Sequence, residues 1–148
     1  MVVEVISVGT ELLLGNIVNT NAQYLAGQCA QLGLSMYHQT TIGDNESRLS
    51  EALTQALDRS DVVILTGGLG PTEDDLTKET CAKVMGLKLV EDAHTKQRIE
   101  EYFKNNIYSC ITDNNWKQAS VPEGALVLDN DNGTAPGLII EKEGKHVI

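Results

Sequence analysis

Between Asp61 and Glu79 the sequence runs Asp-Val-Val-Ile-Leu-Thr-Gly-Gly-Leu-Gly-Pro-Thr-Glu-Asp-Asp-Leu-Thr-Lys-Glu, and most of the chain's candidate chemistry is concentrated there. Gly67, Gly68 and Gly70 permit backbone conformations closed to other residues, so successive N–H groups can converge on one anion the size of a phosphate. Glu73, Asp74 and Asp75 follow at once and offer hard oxygen ligands for a divalent cation beside amides for the phosphate it would accompany. A purely mechanical reading competes: the glycines make a tight strand-to-helix turn, and the acids favour the positive end of the next helix. Acids placed directly after the glycines favour the functional reading.

Other candidates sit where other strands end. Thr10 and Glu11 follow the first apolar run, in Gly9-Thr-Glu-Leu-Leu-Leu-Gly15, either as ligand contacts or as local caps while Leu12 to Leu14 pack under the loop or into a subunit contact. Asp44, in Gly43-Asp-Asn45, is a candidate ligand or general base, although an Asp before a helix more commonly caps it. Gly133 and Thr134, in Asp129-Asn-Asp-Asn-Gly-Thr-Ala-Pro-Gly137, could close over a nucleotide or pterin, or simply form a surface turn. His38, His94 and His146 have no neighbouring His or Cys and read as exposed rather than catalytic.

The elements that must position these residues follow from hydrophobic periodicity. Val2 to Val8, Leu34 to Ile42 and Val62 to Leu65 read as interior strands. Between them lie two amphipathic helices. One is capped at Asn19, Thr20 or Asn21, carries Ala22, Leu25, Ala26, Cys29 and Leu32, and ends at Gly33; the other is capped by Asp44 or Asn45 and carries Leu49, Ala52, Leu53, Ala56 and Leu57. Helices are also expected over Thr77 to Met85 and Asp92 to Asn105, the latter with Ile99, Tyr102 and Phe103 on one stripe. If Thr77 caps its helix, Asp75 stays in the loop; if the helix starts earlier, Asp75 and Glu79 share one face. Tyr108 to Ala119 reads as a short helix or loop, Ala125 to Leu128 as a strand, and Leu138 to Ile140 with His146 to Ile148 as a hairpin. Strands alternating with helices imply an α/β fold: a three-layer α/β/α arrangement around a mainly parallel sheet. In it the first three strand ends gather at one edge, bringing Asp44 and Asp75 around a shared ion.

Composition narrows the function classes. The chain's 148 residues suit one domain with a substantial core, spanning 1–148 and stopping within its last strand. A formal charge of −10 with no Lys/Arg cluster argues against nucleic acid and anionic lipid as partners. It also means that an anionic ligand must be held by amides, a few Lys or Arg, or a metal. Cys29, Cys81 and Cys110 fit buried thiols in a reducing cytosol. The first apolar run is too short to span a bilayer and has no basic residue ahead of it, so a cytoplasmic protein is expected.

Several motifs then line up in order: Gly9-Thr-Glu-Leu-Leu-Leu-Gly15 with Asn19-Thr-Asn21, Gly43-Asp-Asn45, Thr66-Gly-Gly-Leu-Gly-Pro-Thr-Glu-Asp-Asp-Leu-Thr77 with Glu79, Asn114-Asn115 with Lys117-Gln-Ala119, and Gly133-Thr-Ala-Pro-Gly137. Together they resemble the N-terminal domain of the CinA family, the competence- and damage-inducible proteins. More distantly, the Gly-Gly loop with Asp75-Leu-Thr77 is similar to the molybdopterin-binding fold of MogA, MoaB and gephyrin. The resemblance implies a metal-dependent pyrophosphatase acting on ADP-ribose or a related dinucleotide, using Mg, Mn or Co. It places the two metal-phosphate acids at Asp44 and Asp75, with Glu79 nearby; the expected substrate and phosphate contacts are Thr10, Glu11, Asn21, Gly67, Gly68, Gly70, Thr72, Glu79, Gly133 and Thr134. The molybdopterin relatives imply instead a pterin- or nucleotide-binding module without turnover. A third reading is an oligomerisation platform, dimer or trimer, for a separate deamidase domain. CinA proteins continue past the hairpin into a Leu-Pro-Gly-Pro loop and often that second domain, so the pocket of this chain lacks one wall on this comparison.

Overall fold

The computed structural model describes residues 1–105 and 110–148. Four strands run parallel, β1 (Val2–Val8), β2 (Ser35–Ile42), β3 (Val62–Thr66) and β8 (Lys145–Val147). With β7 (Gly137–Lys142) and β6 (Leu126–Leu128) added antiparallel, they form a six-stranded sheet in the order β2-β1-β3-β8-β7-β6. Short strands β4 (Leu89–Glu91) and β5 (Ser120–Pro122) pair antiparallel in a separate ribbon. At three residues each they are too brief to show a period in the sequence.

Pleating sorts the β1 and β3 side chains to two faces. Ile6, Val8, Val63 and Leu65 pack with Leu49, Leu53 and Ala56 of α3 (Glu46–Arg59) and with Cys81 of α4 (Thr77–Val84). Val3 and Val62 pack on the opposite face with Cys29 of α2 (Thr20–Gln31). The expected three layers, helices on both faces of a mainly parallel sheet, are therefore present. Each fully buried Val, Leu or Ile contributes about 1.5–3 kcal/mol, which fixes the strand ends that carry the loops. Glu4 is a charged exception in this core. It is 1% exposed on β1, and Arg59 at the end of α3 donates to both its oxygens at 2.7 and 2.9 Å. Among the described residues, no helix is long and apolar enough to cross a membrane.

Local details depart from expectation at identifiable points. The loop after β1 contains a one-turn helix, α1 (Thr10–Leu13), from which Leu13 and Leu14 project into solvent rather than packing beneath it. Leu32 caps α2 beyond its last turn and is 75% exposed, so it leaves the apolar face on which its spacing placed it. Asn19 is the α2 cap, accepting from the Ala22 N–H. Cys29 and Cys81 are buried as expected, but Cys110 is exposed. The helix α5 (Ala93–Asn105) and the hairpin β7–β8 form, the hairpin with a longer first strand than expected. Of the segment expected to be a short helix or loop, 108–109 lie outside the described residues, and Asp113–Ala119 is a 3-10 helix.

Candidate active site

The Gly-rich loop grows out of the C-terminal end of β3 and leans on the end of β1. Gly67 adopts φ 96°, and a Cβ there would lie 2.0 Å from the Val8 carbonyl oxygen, so only glycine fits. Thr77, the first residue of α4, donates its hydroxyl to the Gly67 carbonyl at 2.8 Å. Leu76 rather than Thr77 takes the cap position, without a side-chain bond, and Asp75 remains in the loop. At Gly70 the close neighbour is a side chain: a Cβ would meet Asp75 Oδ2 at 2.4 Å, because the carboxylate folds back over the glycine. Thr72 holds it there, its N–H donating to Oδ2 at 3.0 Å and its hydroxyl reaching the same oxygen. The Thr72 hydroxyl also reaches Asp74, and chiefly this bond holds the exposed Asp74 carboxyl below its usual range.

A narrow recess opens beside this loop, lined by Gly68, Gly70, Asp75, Lys78, Glu79 and Gln118. Ala135 and Pro136 from the second glycine loop close its far wall. Lys78 is 9% exposed and donates to the Lys117 carbonyl, with Glu79 Oε1 3.7 Å from its ammonium. Burial pushes its pKa down, and Glu79 opposes the shift. The Lys117 ammonium donates to the carbonyls of Thr72 and Asp75, pinning the acid loop against the 3-10 helix. The recess therefore brings together two carboxylates and one cation, and the Lys117 ammonium approaches Glu79 Oε1 to 3.9 Å. Behind it lies an apolar cavity of about 140 Å³, lined by Leu65, Leu69, Cys81, Leu138, Ile140 and Val147 among others. The Cys81 thiol on that wall is pushed up to about 12 by burial and is chemically quiet.

The remaining candidates occupy separate stations. Asp44 is not the helix cap, since Asn45 accepts from the Arg48 N–H and fills that role. Asp44 Oδ2 instead accepts from the Thr10 N–H at 2.9 Å and hydroxyl at 2.8 Å, which joins the ends of β1 and β2. It lies outside the recess lined by Asp75, so the two acids share a sheet edge but not a cavity. Glu11 folds its carboxylate toward Gly9, within 2.7 Å of where a Cβ would stand. Asn21 donates to the Thr66 hydroxyl at 2.9 Å, at the end of β3. Gly133 and Thr134 line a different small recess with Thr95, Arg98 and Asn130, and Pro136 touches both recesses. Arg98 anchors that loop through Asp129 and Asp131, while the exposed His94 pairs with Asp129 at 2.8 Å.

Comparison with known proteins fixes the family. Residues 4–148 match the family described as "Probable molybdopterin binding domain". The CinA structure from Thermoplasma acidophilum is 35% identical and superposes with a TM-score of 0.90, over 99% of this chain and 85% of that one. This chain belongs to the CinA-like branch of the molybdopterin-binding domain family. A CinA-like protein from Kosmotoga olearia is 57% identical over 148 residues, all of this chain and 36% of that protein. The chain thus spans about a third of the length of the curated relatives it matches. The molybdopterin biosynthesis enzyme MoaB of Thermus thermophilus shares the fold, with a TM-score of 0.62 at 14% identity over 99% of this chain and 77% of that one.

The divalent ion that the CinA resemblance implies can be tested against the donors present. Among the described residues, no group of three or more His, Cys, Asp or Glu side chains is placed to hold an ion. Asp75 and Asp44 each present one carboxylate whose described hydrogen bonds all go to Oδ2. Such a donor set does not fit a resident ion in an all-protein cage. Sequence reasoning missed Lys78, Lys117 and Gln118. Lys117-Gln-Ala119 was visible as part of a motif, but nothing local shows that it folds against a loop some 40 residues earlier.

Proposed function

We propose that this domain is a metal-dependent nucleotide pyrophosphatase that hydrolyses the diphosphate linkage of ADP-ribose or a related dinucleotide. The observation that carries the reading is the meeting of the glycine loop, Asp75, Glu79 and the buried Lys78 at one recess. In a chain of net charge −10, a cation shielded from water beside the glycine loop supports an anionic ligand at this point. Lys78 and the loop from Gly68 to Gly70 would hold phosphate, and Lys117 would keep Thr72 to Asp75 in place while it binds. Asp75, fixed by Thr72, would orient the attacking water or the cation that accompanies the substrate. A bound divalent ion would supply charge neutralisation at the phosphoryl oxygens and a lowered pKa for water. Water adds to one phosphorus as the bridging P–O bond breaks, giving AMP and ribose 5-phosphate from ADP-ribose. Screening Mg²⁺, Mn²⁺ and Co²⁺ with ADP-ribose and following AMP is the direct test. Asp75→Asn should remove turnover; AMP release by that variant at the wild-type rate would remove Asp75 from the mechanism.

A second reading, a pterin or nucleotide carrier without turnover, is supported by the absence of a three-ligand ion cage among the described residues. Pterin affinity with no AMP release under any of these metals would select it. For either reading we propose a homo-oligomer, since Leu13, Leu14, Ile17 and Val18 present an exposed apolar run close to the sheet edge.

A further inference from the structure

From Leu12 to Gly43 the sequence contains no Asp, Glu, Lys or Arg, although these make up 22% of the chain. The whole formal charge of −10 therefore lies elsewhere. The stretch is not hidden from water: it forms α2 and the sheet-border strand β2, where Tyr24, Leu32 and Tyr37 are exposed. The helix α3, on the other face of the same sheet, carries Glu46, Arg48, Glu51, Asp58 and Arg59 within its 14 residues. Among the described residues β2 pairs with β1 alone. That pairing sets Val3 opposite Met36 and Glu4 opposite His38, which leaves Tyr37 as the extra residue of a bulge. Its side chain is 73% exposed. Beside it lies an open groove of about 490 Å³, lined by Ala26 and Ala30 of α2 and by Leu34, Met36 and Tyr37 itself.

We propose that this charge-free face joins two copies of the chain about a two-fold axis, the Tyr37 ring of each entering the other's groove against Ala26, Ala30 and Met36. A knob and a hole side by side on one surface are self-complementary, which is what a two-fold contact requires. Tyrosine is an anchor type that interfaces favour, and the two alanines leave room for its ring. The charge pattern selects the occupant. An unrelated partner of an acidic protein gains by setting basic groups against the acids, whereas a second copy is repelled by them and meets least repulsion where charge is missing. Because the bulge interrupts the strand edge, side-chain packing rather than one continuous sheet carries the contact. This names the surface of the homo-oligomer proposed above and rests on that reading.

Sedimentation equilibrium over about 1–100 µM chain reads the contact directly. The wild type is expected to be a dimer. Raising NaCl from about 0.05 to 0.5 M should tighten it, because screening relieves the repulsion between two acidic copies and no ion pair is lost. Tyr37→Glu and Ala30→Glu should each weaken association by about thirtyfold or more, while Tyr37→Phe should keep it. Both positions are exposed in the single chain, and far-ultraviolet circular dichroism checks that the variants fold. A wild-type monomer across this range would overturn both this surface and the oligomer reading. A dimer that survives Tyr37→Glu and Ala30→Glu but not Val18→Glu would overturn this surface and leave the oligomer resting on Leu13 to Val18. A trimer, or a dimer that added salt loosens, would overturn a two-fold contact without charges equally.

Discussion

Two glycines three positions apart in one loop should respond to the same substitution in opposite ways. At Gly67 an alanine would keep φ 96°, a left-handed conformation costing about 1–2 kcal/mol. Its Cβ would also stand 2.0 Å from the Val8 carbonyl oxygen. The Cβ is fixed by its Cα and the oxygen is backbone, so no side-chain rotation relieves the overlap, and moving β1 adds about 1–3 kcal/mol. Gly67→Ala should therefore lose roughly 2–5 kcal/mol and melt about 5–20 °C lower. At Gly70 the backbone is outside the left-handed region, and the new Cβ meets the Asp75 carboxylate, with Oδ2 at 2.4 Å and Cγ at 2.9 Å. A carboxylate on two rotatable bonds can swing away. It gives up its bonds from Thr72, at a cost partly offset by about 0.4–1 kcal/mol from the stiffer unfolded chain. Gly70→Ala should stay within about 2 kcal/mol of wild-type stability. Because it displaces Asp75 by an ångström or more, its AMP release from ADP-ribose should fall by about a hundredfold. Thermal denaturation and an AMP assay on the two variants decide the matter. Wild-type turnover in Gly70→Ala would refute the positioning of Asp75, and a wild-type melting temperature in Gly67→Ala would refute the packing account of the loop.

Three further outcomes test the fold around the site. Leu53, fully buried between α3 and the sheet, should cost about 2–5 kcal/mol as Leu53→Ala, read as a melting temperature lower by roughly 5–20 °C. The Asp92 side chain accepts from the Thr95 N–H at 2.7 Å at the start of α5, which holds its carboxyl below the usual range. Because the folded pKa is the lower one, its contribution is present above the unfolded value and disappears as pH falls through the folded value. Asp92→Ala should thus lower stability by about 0.5–2 kcal/mol near neutrality, and the gap from wild type in a pH series of melts should close on the acid side. A thiol reagent should modify Cys110 alone in the native protein and all of Cys29, Cys81 and Cys110 after unfolding, as peptide mapping would show.

The strands and main helices were legible because β-branched runs and 3.6-residue periods are local signals. The chemistry was legible only in part. Asp75 could be singled out because the glycines that fold beneath it lie a few residues away in sequence. Asp44 was ambiguous from sequence because Asn45, one residue on, competes for the same cap, and its actual partner Thr10 lies 34 positions away. Lys78 carries no local signal that sets it apart from other lysines. Burial by the 3-10 helix, which only the tertiary fold supplies, makes it a shielded cation.

One side-chain type recurs wherever the rim is tied together. Thr10 binds Asp44, Thr66 accepts from Asn21, Thr72 holds Asp75, and Thr77 holds the Gly67 carbonyl. A hydroxyl both donates and accepts, and threonine loses little rotamer freedom on folding because its branched Cβ already restricts χ1. Four such ties fix the ends of β1, β2 and β3 and the start of α4 before any ligand arrives. The loops then need little reorganisation on binding, and preorganised dipoles and charges are worth most where they do not have to move. Replacing Thr72 with Val keeps the branched shape and deletes only the hydroxyl. It should leave the melting temperature within about 4 °C while freeing the Asp75 carboxylate from one of its two anchors. A fall in turnover at unchanged stability in Thr72→Val would show that the tie serves the site and not the fold; a matched loss of both would assign it to the fold.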